Sequence, residues 1–254
     1  MGLAQDLGCD ETTAGKVGII VTEAAGNIVK HARDGQVVIT PIVSASFIGL
    51  EILTLDRGPG VADLPRCFQD GYSTSGTSGT GLGAIARLAS EFDAHSVIGS
   101  GTSVLARVWS VPPPRSRLEP GMALGAVSLP YPGEEQCGDR WAIEQQPGRT
   151  LLVVADGLGH GLLAADAALA ATRIFTANTH RRPAAILEAI HAGIRSTRGA
   201  AVAVAEINRD LRELRYAGIG NISGAIVTAE ARSNLVSHNG IVGHQARKFQ
   251  EFVY

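Results

Sequence analysis

Val21-Thr22-Glu23-Ala24-Ala25-Gly26-Asn27-Ile28-Val29-Lys30-His31-Ala32 overlays two patterns, one of packing and one of chemistry. With Val17 and Ile20 just upstream, Val21, Ala24 and Ile28 recur at the spacing of one helix face. This predicts an amphipathic helix over residues 11–32 with Asp10 as its N-cap. Glu23 and Asn27 stand one turn apart on the polar edge of that stripe. An amide oxygen can join phosphate oxygens around Mg2+, a hard ion that keeps several of its waters. A carboxylate one turn away can orient or deprotonate an attacking hydroxyl or water. Taken alone, the same pair also describes a solvated helix face.

Two glycine-rich segments lie downstream. Leu55-Asp56-Arg57-Gly58-Pro59-Gly60 closes an apolar strand: the carboxylate can accept from the exocyclic amine of a base, and the glycines let backbone approach a flat ligand. A plain strand-ending turn has the same composition. Gly76-Thr77-Ser78-Gly79-Thr80-Gly81-Leu82-Gly83 opens directly into a helix, where free N–H groups and the dipole favour anions. It lacks the Gly-Lys-Ser/Thr ending of a Walker loop, and the polar 70–75 segment before it is no Rossmann strand. Strands are expected at 36–42 and 48–55, and a second helix at 83–92 with Ile85, Leu88, Ala89 and Phe92 on one face. A closing hairpin, 96–99 and 102–109, turns around Ser100-Gly101. Helices interleaved with antiparallel strands make this an α+β sandwich with its helices on one face of the sheet.

The order of these elements resembles the GHKL ATPase class, and within it the RsbT/SpoIIAB-like switch kinases. The resemblance covers residues 5–110 and is carried by the 21–32 stretch, the 56–60 turn, Asp70-Gly71-Tyr72-Ser73-Thr74, residues 79–83 and Gly101-Thr102. The Asp-Gly-Tyr-Ser-Thr run is closer to RsbT than to SpoIIAB. It implies a Bergerat-type ATP site in which Asn27 holds Mg2+, Glu23 acts as base or water-orienting group and Asp56 binds adenine. Gly58 and Gly60 would shape the pocket floor, Gly79, Thr80, Gly81, Leu82 and Gly83 would wrap the phosphates, and Thr102 would line the adenine site. The family phosphorylates serine or threonine on a small STAS-domain antagonist. A family member of this kind can instead sequester a sigma factor, or activate a downstream phosphatase by contact alone. Only about ten residues precede the first helix, so the resemblance also implies a missing leading element.

The sharpest break in composition is Val111-Pro112-Pro113-Pro114-Arg115-Ser116-Arg117, a semi-rigid linker that separates a domain at 1–110 from one at 121–254, with 111–120 between them. In the second domain strands are expected at 122–129, 140–145, 150–155, 200–207, 214–218, 224–229 and 235–237. Helices are expected at 162–178 and 184–196, again α+β. Asp139 and Asp156 fall at strand margins and meet if the segment between them is a hairpin. Carboxylates that meet can hold divalent ions around an activated water, although aspartates beside glycines also form turns. His160 is expected to be structural or phosphate-proximal, because hard ions prefer oxygen. Cys137-Gly138-Asp139, the 155–161 run, Ala217-Gly218-Ile219-Gly220-Asn221 and Asn239-Gly240 resemble the SpoIIE/RsbX branch of the type 2C metal-dependent protein phosphatases. The resemblance implies part of an α/β/β/α sandwich. It also implies Mn2+ or Mg2+ held by Asp139, Asp156 and the carbonyl of Gly157. No aspartate follows Asp210, so it implies too that half the metal site and the last strands are missing and that this half is inactive as given.

Composition bounds the rest. With 45% hydrophobic and 18% charged residues the 254-residue chain can fill two modest cores, and a net charge of −2 offers no bulk attraction to nucleic acid or an anionic membrane. Cys9, Cys67 and Cys137 have neither disulfide-framework nor zinc spacing. With no signal-peptide pattern or long apolar run, the expectation is a cytoplasmic protein in stress or sigma-factor signalling, its kinase and phosphatase domains acting on one STAS-type partner.

Overall fold

Helix α2 (Glu11–His31), which follows a short helix α1 (Gly2–Asp6), shows packing overriding local propensity. Gly15, Gly18 and Gly26 each cost it roughly 1 kcal/mol relative to alanine. No neighbouring atom would obstruct a Cβ at any of the three. Burial of Val17, Ile20 and Ala24 outweighs that cost, since a large aliphatic side chain contributes about 1.5–3 kcal/mol when fully covered. Asp10 caps the helix as expected: its Oδ1 accepts the Thr13 N–H at 2.6 Å, and that bond holds its carboxyl below the ordinary carboxylate value. The computed structural model describes residues 2–43, 48–68, 81–112 and 122–254, which divide into two compact units, Met1–Arg117 and Leu118–Tyr254.

In the first unit α2 leads into β1 (Gln36–Val43) and β2 (Ile48–Leu55). A 3-10 turn (Pro65–Phe68), α3 (Gly81–Leu88), β3 (Glu91–Val97) and β4 (Gly101–Val111) complete it. The strands form one antiparallel sheet in the order β1-β2-β4-β3. Even-numbered residues of the two central strands, Leu50, Ile52, Val104, Ala106 and Val108, pack with Ile20 and Ile85 in the core under the helices. On the opposite face Glu51, Arg107 and Glu91 stand directly across from one another. Arg107 donates to Glu51 at 2.8 Å and to Glu91 at 2.9 Å, so this face is polar where the ladder runs. The expected 83–92 helix is corrected at both ends. It begins at Gly81 and stops at Leu88, because the Ser90 N–H donates to the Arg107 carbonyl at 2.7 Å and the chain enters β3. Phe92 still reaches the core, but from a strand: exposed Glu91, Asp93 and His95 alternate with half-buried Phe92, Ala94 and Ser96. The closing hairpin therefore starts five residues earlier than its expected first strand.

In the second unit β5 (Asp139–Gln146) and β6 (Arg149–Gly157) form a hairpin, followed by α4 (Leu162–Ala177) and α5 (Pro183–Gly193). Next come β7 (Ala200–Asn208), β8 (Glu213–Ile219), β9 (Gly224–Val227), β10 (Arg232–Leu235), β11 (Ser237–His238) and β12 (Phe252–Val253). The main sheet runs β11-β8-β7-β6-β5, with β12 also on β8, and β9 pairs with β10 alone. Leu151, Val153 and Ala155 of β6 pack with Phe175, Ile186, Leu187 and Ile190 of the helices. The expected strand at 122–129 does not join a ladder. That segment is extended, with period-two burial, and lies antiparallel beside β5: Met122 meets Gln145, and Ser128 Oγ donates to the Asp139 carbonyl at 3.1 Å. Side-chain bonds, including Cys137 Sγ to the Leu129 carbonyl, replace backbone pairing there. The expected strand at 235–237 is split, since the Val236 N–H is taken by the Tyr254 hydroxyl at 2.9 Å and Ser237 turns to run parallel to β8.

One buried histidine gives this unit a pH dependence. His191 is 8% exposed, accepts the Gly243 N–H on Nδ1 at 3.0 Å and packs against Phe249. Burial pushes its pKa down, and nearby Arg195 and His244 add to this against a smaller opposing effect of Glu188. The neutral ring is thus favoured by folding. Its contribution is complete above the unfolded value of about 6.5 and is lost as pH falls from there through the lower folded value. Melting temperatures measured from pH 8 to pH 5 are expected to show this acid-side loss. It should shrink in His191→Asn, whose amide oxygen can accept from Gly243 without titrating.

Candidate functional site

Helix α3 begins against the polar edge of α2. A Cβ built on Gly81 would lie 3.0 Å from Glu23 Oε2 and 3.4 Å from Asn27 Oδ1, so both side chains reach the first residue of α3, where amide N–H groups are free of helical partners. Gly83, two residues in, is buried. Gly79 and Thr80 lie outside the described residues, as do the 70–74 run and residues 76–78.

The base-side residues gather at the end of β2. Asp56 continues the helix-facing parity of Leu50, Ile52 and Thr54. Its N–H donates to the Thr102 carbonyl at 3.0 Å, and its Oδ1 accepts the Gly58 N–H at 2.6 Å, while among the described residues Oδ2 takes no hydrogen bond. Gly101 has φ +121 and an added Cβ would fall 1.8 Å from the Asp56 carbonyl oxygen; Gly60 has φ +71 and packs on the Val97 carbonyl. Both positions require glycine, in backbone conformation and in space. An added Cβ on Gly58 would also lie 2.9 Å from the His31 carbonyl oxygen, and His31 is one turn beyond Asn27 on α2. Both groups of residues therefore border the C-terminal half of α2. A cavity of about 450 Å³ opens beside them, lined by Asp34, Gln36, Leu55, Asp56 and Arg57. Of the described residues expected in the site, Asp56 alone lines it.

In the second unit Asp139 and Asp156 stand directly opposite each other in the β5–β6 ladder, as a hairpin requires. Burial raises the pKa of Asp156, and the charge of Asp139 and a hydrogen bond to it raise it further. The Gly157 N–H donates to the Gly138 carbonyl at 3.0 Å, and α4 presses so close that an added Cβ on Gly157 would lie 2.0 Å from the Ala164 carbonyl oxygen. His160 is engaged elsewhere, at 2.5 Å from Glu134 through Nδ1 and stacked on Tyr131 at 4.9 Å. The donor set is all oxygen and suits a hard divalent ion, but among the described residues no three acidic, histidine or cysteine side chains gather to hold one.

Sequence reading missed Ser96, which bonds Thr102, and Glu134, which holds His160. Cross-strand pairing opposite Thr102 is the one signal that could have found Ser96; nothing local marks Glu134.

A family model described as a histidine kinase-like ATPase domain matches residues 1–108, and one described as stage II sporulation protein E (SpoIIE) matches residues 146–252. The chain is 36% identical over 107 residues to the serine/threonine-protein kinase RsbT of Bacillus subtilis (strain 168), covering 42% of this chain and 80% of that one. It is 28% identical over 90 residues to the phosphoserine phosphatase RsbX of the same organism, covering 35% of this chain and 45% of that one, so it spans less than half the phosphatase. Among solved structures, RsbX in complex with magnesium is similar at 22% identity and a TM-score of 0.47, covering 50% of this chain and 65% of that one.

Proposed function

Because this chain belongs to the RsbT-like family of histidine kinase-like ATPases, with a SpoIIE-type domain following, we propose that its first unit is a protein serine/threonine kinase using Mg–ATP. Its substrate is a STAS-domain antagonist protein, and the two units, taken as 1–110 and 121–254 about a 111–120 linker, belong to partner-switching signalling. The observation that carries this reading is the start of α3 lying against Glu23 and Asn27.

Each residue then has a task. The Asn27 amide oxygen holds Mg2+, which when bound supplies charge neutralisation to the triphosphate. The start of α3, Gly81, Leu82 and Gly83, is the anion-binding end for the phosphates, and Gly79 and Thr80, which lie outside the described residues, are assigned to the same role. Asp56 Oδ2 accepts from the adenine amine, and Thr102 lines the same end. Glu23 takes the proton of the attacking serine or threonine hydroxyl as its oxygen bonds to the γ-phosphorus and the bond to the β-phosphate oxygen breaks, leaving ADP.

In the second unit Asp139, Asp156 and the Gly157 carbonyl fit one Mn2+ or Mg2+, which also relieves the repulsion between the paired carboxylates. Two carboxylates hold such an ion weakly, so phosphoester hydrolysis is not assigned to these residues by themselves. No helix among the described residues is long and apolar enough to cross a membrane.

The test is phosphotransfer from γ-labelled ATP to a STAS-domain protein. Labelled serine or threonine is expected, with Glu23→Gln slowing transfer by about 100-fold or more. No label with the parent chain, across candidate STAS proteins, would overturn the kinase reading.

A further inference from the structure

The two chains of the β5–β6 hairpin stay together past the end of their ladder. Beyond the Asp139–Asp156 pair the Gly157 N–H donates to the Gly138 carbonyl at 3.0 Å, and the chains meet once more at Glu134 and His160. Residues 128–139 close into a loop on the β5 side. Its base is tied where Ser128 Oγ lies 3.1 Å from the Asp139 carbonyl oxygen and Cys137 Sγ lies 3.0 Å from that of Leu129. Its tip is a turn in which the Glu134 N–H donates to the Tyr131 carbonyl at 2.9 Å. Both ends of this turn grip one imidazole: Glu134 Oε1 lies 2.5 Å from His160 Nδ1, and the Tyr131 ring stacks on it at 4.9 Å. An ionised carboxylate only accepts, so Nδ1 carries the hydrogen. Gly161, at φ +72, clears the space, since a Cβ there would collide with Glu134 Oε2.

We propose that Glu134 and His160 are positioning residues for a divalent cation at the Asp139–Asp156 pair: their clasp fixes the start of β5 against the 157–161 loop and keeps the two carboxylates opposed. This rests on the metal reading of the second unit. Asp139 needs such a tie, because it is exposed and opens the edge strand of its sheet. Among the described residues, one backbone bond joins the two chains beyond it, from Gly157 to Gly138. The like charges of the two carboxylates favour their separation, and fraying at a strand end is a low-cost opening. With the clasp in place, that opening must also break the Glu134–His160 bond and the stack on Tyr131. A pair held opposed beforehand binds a cation more tightly than one that must first be ordered.

The experiment is titration of the full chain with Mn2+ alone, read by water-proton relaxation, with Asp156→Asn defining the binding that belongs to this pair. Glu134→Ala and His160→Ala should each weaken that binding about tenfold, as loss of a residue that orients a metal ligand does. The double variant should bind no more weakly than either single one. Glu134→Gln, whose amide oxygen still accepts from Nδ1–H, should bind Mn2+ nearly as the parent does. Hydrogen exchange at the Gly157 amide should quicken in the alanine variants and not in Glu134→Gln. A purely structural clasp would lower the melting temperature and leave Mn2+ affinity unchanged, which overturns the proposal. Equal losses in Glu134→Gln and Glu134→Ala, with His160→Ala neutral, overturn it as well, because that pattern belongs to the charge of Glu134 and not to the clasp. A parent chain that binds no more Mn2+ than Asp156→Asn overturns the metal reading, and the clasp proposal with it.

Discussion

Asn27→Ala is expected to weaken Mg–ATP binding by at least about 100-fold while leaving the fold intact, because it removes the amide oxygen that faces the start of α3. The side chain is half-buried and lies outside the core, and alanine is the better helix former, so thermal stability should change little or rise slightly. Calorimetry with Mg2+ and ATP reads the first effect and a melting curve reads the second. Undiminished binding with an unchanged melt would remove Asn27 from the site and leave Glu23 facing Gly81 without a nucleotide role.

The second large effect is expected at Gly101→Ala. The new Cβ would have to occupy space 1.8 Å from the Asp56 carbonyl oxygen, at φ +121, a conformation that L side chains rarely adopt. Backbone strain of about 1–3 kcal/mol and a clash with main-chain atoms, which cannot rotate aside, act together on the two central strands of the sheet. Denaturant unfolding should show the first unit destabilised by roughly 3 kcal/mol or more. Nucleotide binding should fall even at temperatures where the variant is folded, because Asp56 must move. Gly99, two residues earlier, is the control: its φ is also positive, but nothing stands within 4 Å of an added Cβ, so Gly99→Ala should cost only the strain.

What the sequence revealed depended on how far apart the interacting residues lie in the chain. The α2 helix, its Asp10 cap and the Glu23–Asn27 edge were readable because each rests on residues within a few turns of one another. The Asp139–Asp156 pairing was readable too, since a tight turn at Pro147-Gly148 fixes the register of everything on either side. The end of α3 was not, because Ile85, Leu88, Ala89 and Phe92 continue a helical period into a strand. What ends the helix is a bond to Arg107, seventeen residues beyond Ser90. The strand expected at 122–129 has the alternation of a strand but gains its neighbours through side chains, which periodicity cannot distinguish from a backbone ladder. Ser96 and Glu134 take their importance from Val61 and His160, and no local pattern carries such long-range pairs.

The Asp139–Asp156 pair is shared between strands of unequal security. Asp156 belongs to β6, which is laced on both sides, by β5 and by β7, whereas Asp139 is the first residue of β5, at the margin of the sheet. Peeling of β5 disassembles the pair without unravelling the rest, so its carboxylates separate in a local fraying event far cheaper than global unfolding. A cation held between them would act as a rivet at that margin, and its occupancy and the attachment of β5 would then be a single equilibrium.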